Sequence, residues 1–275
     1  MPKTLLLIVI ICFILTGLIQ LRIDRQYCGR EKLVEELMYF PSGKFIHGIA
    51  CGYDELLADW VWLRAIQYYG GHRRTDMRFD YLGHILDILT DLDPKFIHAY
   101  TFGALLLTDD VGTPDRGLAL LAKGAAQNPS AWEIPFIAGF INYVFLKNYE
   151  DACTHFVISG SISDSPDFTR RFAAFVCAKK GDIDLSIELW TTIYTTSKNK
   201  IEIETALRNI KKLTVSKLGQ VLEKFFASYK RFPTNLRELV YAGFLNKIPV
   251  APDGGKYYIS GNKIKCTTLK DERIP

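Results

Sequence analysis

Apolar side chains recur every three or four residues over most of the chain between residues 53 and 230. This spacing places them on one side of an α-helix, so the segment is predicted to be helical. The part from 201 to 230 keeps the spacing without a break, at Ile203, Leu207, Ile210, Leu218, Val221 and Phe225. One long helix or two are therefore predicted to close the helical body and cover its end.

The first segment differs, because its apolar run is continuous. Between residues 5 and 21 only Thr16, Gly17 and Gln20 interrupt it. As a helix, this run rises about 26 Å, close to the roughly 30 Å hydrocarbon core of a bilayer. The run is long for a cleaved signal peptide, and no small-x-small cleavage site follows it. Residues 1–25 are therefore predicted to be an uncleaved membrane anchor, with a cleaved signal peptide as the alternative.

Proline opens three similar segments in the middle of the chain, DLDPKFIHAY, AQNPSAWEIPF and SDSPDFTRRF. The prolines, Pro94, Pro129 and Pro166, are 35 and 37 residues apart. Proline is tolerated in the first turn of a helix, where its missing N–H has no partner. Each segment then carries a pair of small residues and, after a turn, a small residue with a bulky one four positions later, as in Ser186 and Trp190. Small residues at these places let two antiparallel helices approach closely.

The repeated proline, small pair and small–bulky pair resemble the tetratricopeptide repeat (TPR) family over residues 94–197. The resemblance implies helix–turn–helix units near residues 53–94 (a degenerate first unit), 95–129, 130–166 and 167–197. The sequence departs from the family early in each first helix, where Tyr100 is the aromatic residue of one unit but Pro135 and Arg170 stand in the others. These departures predict irregular packing within a helical-hairpin solenoid.

The first predicted unit opens on an unusually aromatic helix, YDELLADWVWLRAIQYYG. Its apolar residues cover two faces, so the helix is predicted to be buried on most sides. Asp54 and Glu55 suit its first turn, where the helix dipole favours acids, and Asp59 is expected to pair with an arginine. One partly polar stripe is left for a protein partner, formed by Glu55, Asp59 and Trp62 with Arg64 beside them.

Residues 231–275 are predicted to form a small helix followed by a hairpin. The helix covers Thr234–Ala242 with Thr234 as its cap, and the alternation in KYYISGNKIKC predicts a hairpin with SGN as its turn. The segment resembles the C-terminal part of type II secretion pseudopilins, and the matching residues are Pro233, Leu236, Leu239, Gly243, Pro249, Asp253, Gly255 and Tyr257. It departs from that family in the order APDGG, and Asp253 alone cannot supply the six or more oxygens that calcium needs.

These patterns together predict an all-α fold. It consists of a TPR-like helical-hairpin solenoid (53–230) behind an N-terminal transmembrane helix (1–25), with a juxtamembrane linker (26–52) and a small C-terminal α/β appendix (231–275). The excess of lysine and arginine after the span favours a cytoplasmic body. The short tail before a single span and the pseudopilin-like segment favour export instead. We predict a single-pass protein of a bacterial inner membrane with an extracytoplasmic body.

Composition is ordinary for a globular protein, with 48% hydrophobic residues, 23% charged residues and a net charge of +4. Because lysines and arginines are interspersed with acids, no basic stripe indicates a nucleic-acid partner. No histidines pair at metal-ligand spacing and no CxxC occurs, so no metal site and no cofactor are predicted. Cys153 and Cys177 are predicted to be buried small hydrophobes, and Cys28 with Cys51 is left as an alternative disulfide.

The resemblance to the TPR family implies binding of a protein partner rather than catalysis. First-helix side chains line the concave face of such solenoids, and here they are Phe140 and Phe175, with Phe136, Tyr143 and Arg171 one turn away. A role of these aromatics in the core is an equal alternative. The predicted function is a membrane-anchored scaffold or adaptor in a bacterial envelope assembly or secretion-related complex. The alternatives are a pseudopilin-like structural subunit and an enzyme that uses the acidic aromatic helix 53–69.

Overall fold

Residues 3–26 and 43–269 are described by the computed structural model, and most of them are helical. The twelve α-helices of this part of the chain are α1 (Lys3–Gln26), α2 (Gly43–Ala50), α3 (Asp54–His72), α4 (Leu82–Leu92), α5 (Ile97–Asp109), α6 (Pro114–Gln127), α7 (Glu133–Ile141), α8 (Tyr149–Ser161), α9 (Asp167–Lys180), α10 (Ile183–Thr196), α11 (Lys200–Tyr229) and α12 (Leu236–Tyr241). A π-helix (Asn142–Leu146) continues α7, and β1 (Tyr257–Ser260) pairs antiparallel with β2 (Lys263–Cys266). The predicted all-α class with a small sheet at its C-terminal end is confirmed, whereas stacking as a TPR solenoid stays a prediction.

Helix α1 contains the apolar run that the sequence analysis assigned to a membrane anchor. Its side chains from Ile11 to Arg22 are exposed. Among the residues whose side chains the structure describes, however, no helix is long and apolar enough to cross a bilayer. The transmembrane helix predicted for residues 1–25 is therefore not supported by the structure. Most of the predicted linker, 26–52, lies outside the described residues.

The backbone divides into two compact units, residues 1–116 and 117–275. In the first unit, α2, α3 and α5 pack around α4, whose Leu86 and Leu89 are fully buried. Tyr100 on α5 is also fully buried, and its hydroxyl donates a hydrogen bond to a carbonyl oxygen of α4 at 3.3 Å. Burial raises the pKa of Tyr100 to about 12, so this phenol stays neutral as part of the core.

In the second unit, α7 with its π-helix and α8 form one helical hairpin, and α9 and α10 form the next. The Asn148 side chain caps α8 by accepting a hydrogen bond from the N–H of Asp151 at 3.2 Å. The Asp182 side chain caps α10 by accepting a hydrogen bond from the N–H of Leu185 at 3.1 Å. Gly181 ends α9 with a φ of 99°, a left-handed conformation that glycine adopts without strain. Each turn separates the two helices of its hairpin, as the repeated segments predict.

Close approach between these helices depends on the small residues that the sequence repeats. A Cβ atom added to Gly139 on α7 would lie 3.0 Å from the ring of Phe156 on α8. Between α9 and α10, the hydroxyl of Ser186 donates to the carbonyl oxygen of Ala174 at 2.6 Å, and both residues are fully buried. The small–bulky packing predicted from the sequence is thus present in both hairpins.

A disulfide joins Cys153 on α8 to Cys177 on α9 inside the second unit. Both residues are buried, as predicted, but their description as separate small hydrophobes is wrong. The two helices bring the Cα atoms to 4.8 Å, within the range that a disulfide requires. Of the other predicted pair, Cys51 is an exposed free cysteine and Cys28 lies outside the described residues.

The C-terminal segment packs on α11 and extends the core of the second unit. One apolar cluster combines side chains of α11, α12 and the hairpin, and its buried members are Leu218, Leu222, Phe225, Leu236, Leu239, Ala251, Tyr257, Ile264 and Cys266. The hairpin turns at residues 261–262, as the SGN segment predicted. The cap of α12 differs from the prediction, because Asn235 and not Thr234 accepts the N–H of Glu238, at 3.1 Å.

A buried ion pair fixes the loop before β1 to α11. The Lys211 side chain is only 6% exposed, and its ammonium donates to the Asp253 carboxylate and, at 3.2 Å, to the carbonyl oxygen of Thr268. Asp253 also accepts hydrogen bonds from the Thr268 hydroxyl and the Gly255 N–H, each at 3.2 Å. Burial raises the pKa of Asp253, but the hydrogen bonds from Lys211, Thr268 and Gly255 outweigh it and hold the pKa below its usual value.

Removal of the disulfide should destabilise the second unit. Closing a loop of about 25 residues restricts the unfolded chain by about 3 kcal/mol. The double change Cys153→Ala and Cys177→Ala should therefore lower the free energy of unfolding by about 3 kcal/mol, measured by urea unfolding with circular dichroism. Cys266→Ala, which removes a buried free cysteine, is the control and should have a much smaller effect. A wild-type unfolding midpoint that does not change in reductant would contradict the disulfide.

Loss of Asp253 should cost more stability than loss of Lys211. Asp253→Asn leaves the buried ammonium without its counter-charge, so the free energy of unfolding should fall by about 3 kcal/mol. Lys211→Met should cost only about 1 kcal/mol, because Asp253 keeps its other hydrogen bonds and Met fills the same space. Lys217→Met removes an exposed pair with Asp184 and should change stability by less than about 0.5 kcal/mol.

The same pair predicts a pH dependence. The folded-state pKa of Asp253 is lowered. The contribution of Asp253 to the free energy of unfolding is therefore present above its unfolded-state pKa and is lost as the pH falls through its folded-state pKa. Urea unfolding of the wild type and of Asp253→Asn should therefore converge in acid. An Asp253→Asn deficit that persists unchanged in acid would contradict this ionic role.

Candidate functional site

Four aromatic residues that the resemblance to TPR repeats predicts on a concave face lie together in the second unit. Phe136 and Phe140 are on α7, Tyr143 is on the π-helix and Phe175 is on α9. The ring centroids of Tyr143 and Phe175 are 6.4 Å apart, and Phe136 lies 5.4 Å from Phe172, which is also on α9. We call Phe140, Tyr143, Phe172 and Phe175 the aromatic face.

Exposure separates packing residues from candidate contact residues. Phe136 is half-buried and surrounded at 5.2–6.1 Å by the rings of Trp132, Phe156, Phe168 and Phe172. It therefore belongs to the packing of α7 on α8 and α9. Phe172 and Phe175, in contrast, are 39% and 47% exposed. These two rings are the ones that a partner can reach.

Phe172 is not among the residues that the sequence predicts for this face, although the sequence contains a signal for it. On α9, Phe168, Phe172 and Phe175 stand at positions i, i+4 and i+7, the spacing of one helix face. The resemblance to TPR repeats selected Arg171 instead. In the structure the guanidinium of Arg171 pairs with Glu202 of α11, a carboxylate that is only 8% exposed. Arg171 is therefore engaged in holding α11 to α9.

The π-helix defines one end of the aromatic face. A π-helix has a wider turn than an α-helix, so the side chains after Asn142 are rotated about the helix axis relative to an α-helical continuation. Asn142 is buried, and its side-chain amide donates to the carbonyl oxygen of Ala138 at 2.9 Å. Its own carbonyl oxygen accepts the N–H of Asn148 at 2.9 Å. This bonding positions Tyr143, and such π-helical turns occur frequently at functional sites.

A lysine borders the aromatic face and gives it a positive charge. The Lys179 ammonium lies 5.9 Å from the ring centroid of Phe175, within the range of a cation–π interaction. The next residue, Lys180, pairs with Glu150 of α8 instead. The aromatic face thus combines exposed apolar surface with one cation at its edge.

In the first unit, the predicted residues of α3 do not form one site. Trp62 is half-buried, and its indole packs edge-on at 5.5–6.0 Å against the rings of Phe96, His98 and Phe102. Glu55 and Asp59 are exposed, and neither has an ion-pair partner in the described part of the chain. The expected pairing of Asp59 with an arginine is thus not found among the described residues.

Arg64 lies on the opposite flank of α3 from Asp59, because five residues turn a helix by about 140°. Its guanidinium is 5.1 Å from the ring centroid of Trp60, and it donates to the side-chain oxygen of Gln67 at 2.9 Å. Arg64 is thus held against its own helix, beside exposed apolar side chains.

Helix α3 is buried on one face only, so the prediction that it is buried on most sides is wrong. The buried side chains are Ala58, Val61, Ala65 and Tyr68. The opposite face is also apolar, yet it is exposed, with Leu56 at 67%, Trp60 at 40%, Leu63 at 58% and Ile66 at 44%. Two apolar faces on one helix look alike in sequence, and only the tertiary structure shows which of them is covered.

His47 on α2 connects three elements of the first unit. Its Nδ1 lies 2.7 Å from the Asp54 carboxylate at the start of α3, and its Nε2 lies 2.8 Å from the carbonyl oxygen of Asp91 at the end of α4. Both partners are acceptors, so the protonated imidazole satisfies both with its two N–H groups. The Asp91 carbonyl, followed by the Asp54 carboxylate, raises the pKa of His47 above 6.5.

Within the described residues, no three His, Cys, Asp or Glu side chains converge as they would around a metal ion. A surface cavity of about 390 Å³ adjoins the first turn of α9 and the segment between α10 and α11. Two of its three charged lining residues, Asp167 and Arg170, pair with each other, and the third is Lys198. The sequence matches no protein-family model and no curated protein. The aromatic face and the exposed face of α3 are therefore judged on their geometry.

The junction that His47 makes between α2, Asp54 and Asp91 should weaken as the pH rises. A raised folded-state pKa means that the stabilisation is present below 6.5 and is lost as the pH rises through the folded-state value. After correction for intrinsic rates, the amides of α2 should exchange with deuterium faster at about pH 8.5 than at about pH 6. His47→Gln should remove this difference, whereas His72→Gln, which affects a pair within the first unit away from α2, should keep it. Exchange of α2 that is independent of pH in the wild type would contradict the junction.

Proposed function

We propose that the chain is a helical-repeat scaffold that binds an apolar or amphipathic segment of a protein partner on the aromatic face. This proposal rests on one observation: Phe172 and Phe175 are exposed and lie beside the half-buried rings of Phe140 and Tyr143. Exposed aromatic clusters on soluble units are typical of interaction sites, and buried aromatic anchors dominate binding energies.

The base of the aromatic face supports binding because it is preformed. Phe140 and Tyr143 pack against the apolar cluster that contains the disulfide between Cys153 and Cys177. A preformed surface loses little conformational entropy when a partner docks. Rings from two helices offer anchor points to an amphipathic helix or an extended segment. Lys179 favours a partner segment with an acidic residue next to its apolar side chains.

The proposed setting is an extracytoplasmic envelope assembly or secretion-related complex. Disulfides persist in oxidising compartments and are rare in the cytosol, so the Cys153–Cys177 bond supports a body outside the cytoplasm. The secretion context rests on the resemblance of residues 231–275 to pseudopilins, and attachment to a membrane through residues 5–21 stays a prediction. Acid-trapping of the cysteines in cells reports their redox state and hence the compartment.

Site-specific photo-crosslinking in cells tests the aromatic face. A benzophenone amino acid at position 175 should give a discrete adduct with another protein, because the ring at this position is exposed on the face. The same amino acid at Phe226, which is 41% exposed on α11, is the matched control and should give none. Phe172→Ala should reduce the adduct at position 175 by about fivefold or more, whereas Phe226→Ala should leave it unchanged.

Two results would contradict the proposal. The first is the absence of any adduct at position 175 in cells that express the folded chain. The second is an adduct of equal strength at positions 175 and 226, which would indicate nonspecific contact. An adduct between two copies of the chain would favour the structural-subunit alternative instead.

A further inference from the structure

The exposed face of α3 has a narrow row along its centre that is apolar except for Gln67, and the exposed Ile66 lies beside it. Leu56, Trp60, Leu63, Gln67 and Gly70 follow one another at spacings of four, three, four and three residues. We call this row the α3 seam. Its three large side chains are 40–67% exposed, although the opposite face of the same helix packs on α4. Nothing in the described residues covers the seam.

The spacing of the seam is that of a coiled coil. A helix that packs on its own core shows an apolar stripe at least about 100° wide, whereas a two-helix seam uses only the a and d positions of a heptad. Here Trp60 and Gln67 occupy a positions, and Leu56, Leu63 and Gly70 occupy d positions. Leucine at d and a polar residue at one a position are typical of short parallel pairs with a fixed register.

The charges beside the seam decide what it can pair with. In this register Asp59 is a g position and Arg64 is an e position. In a parallel pair, a g residue faces the e residue five positions further along the other helix. Asp59 of one copy would therefore face Arg64 of the other, twice in the dimer. Within the described residues of its own chain, Asp59 has no ion-pair partner, and Arg64 has no carboxylate partner. Arg64 donates to the neutral Gln67 and lies over the ring of Trp60.

Other occupants of the seam fit these charges less well. In an antiparallel pair, the g positions of the two helices face each other, and so do the e positions. Asp59 would therefore face Asp59 and Arg64 would face Arg64, and both contacts are repulsive. A bilayer surface favours a helix with lysine and arginine on its polar face. The exposed carboxylates of Glu55 and Asp59 lie next to the seam and oppose contact with lipid headgroups.

We infer that α3 is a homodimerisation helix, through which two copies of this chain pair in parallel along the α3 seam, with Asp59 of each copy facing Arg64 of the other. The seam covers two heptads, about 21 Å of helix, so the dimer is short and weak. Trp60 lies at its centre and supplies the largest buried surface. The inference does not depend on the aromatic face, which belongs to the second unit.

Charge reversal tests the pairing in the full chain, in detergent solution. Sedimentation equilibrium should show a monomer–dimer equilibrium for the wild type. Asp59→Arg should weaken the dimer about tenfold, because two attractive pairs become repulsive. The double change Asp59→Arg and Arg64→Asp should restore it to within about threefold. Glu55→Arg is the matched control: it makes the same change in charge on the same helix, at a c position, and should leave the dimer unchanged. Circular dichroism confirms that each variant is folded.

Disulfide crosslinking tests the orientation. In a background with Cys12, Cys28 and Cys51 changed to serine, Leu56→Cys should crosslink to itself, because equivalent d positions meet in a parallel pair. Glu55→Cys, one position away on the outer side of the helix, should not. Self-crosslinking of Glu55→Cys that equals that of Leu56→Cys would overturn the parallel seam.

Three further results would overturn the inference. They are a wild-type chain that stays monomeric up to its solubility limit, a dimer that Asp59→Arg and Glu55→Arg weaken equally, and a charge swap that fails to restore the dimer. The lipid alternative has its own readout, because Trp60 is the most exposed of the tryptophans and the other three are buried or half-buried. Quenching of tryptophan fluorescence by brominated phosphatidylcholine vesicles that disappears in Trp60→Phe would assign the seam to the bilayer and reject the dimer.

Discussion

The close approach of α8 and α9 is the contact on which the second unit depends. Ala152 and Ala173 are fully buried at this contact, and their small size lets the two backbones come near enough for a disulfide between Cys153 and Cys177. The same spacing places the half-buried rings of α7 and the π-helix beside the exposed rings of α9. A larger side chain at either alanine would separate the helices, and the aromatic face would lose its base. The helical framework of this unit and its candidate site are therefore consequences of one packing contact.

Much of this architecture could be predicted from local sequence patterns, because the signals for it are local. The turns at Asn148 and Gly181, the hairpin at residues 261–262 and the long helix α11 follow from capping residues, glycine and apolar periodicity. Each of these features is determined by a few neighbouring residues. Their agreement with the structure reflects consistency between local preference and global fold.

The failures of prediction share a different physical cause, which is contact between residues distant in sequence. Lys211 and Asp253 are separated by 42 residues, and no periodicity indicates that a lysine on α11 will be buried against a loop. The pairing of Arg171 with Glu202 was missed for the same reason. On α3, apolar periodicity identified two faces but gave no means of deciding which one packs on α4. Exposure is a property of the assembled unit, so Leu56 and Leu63 were assigned to the core.

The two exposed apolar surfaces differ in a way that bears on what each can bind. In a symmetric pair, each copy presents the same surface. That surface must therefore carry a positive and a negative side chain at positions that face each other across the two-fold axis. The α3 seam does so, because Asp59 and Arg64 flank the same apolar row at the heptad offset of a parallel pair. The aromatic face has a cation at its edge, Lys179, and two copies that met there across a two-fold axis would bring equal charges together. Self-association therefore suits the narrow seam of one helix, and a different protein with an acidic, apolar segment suits the broader face built from two.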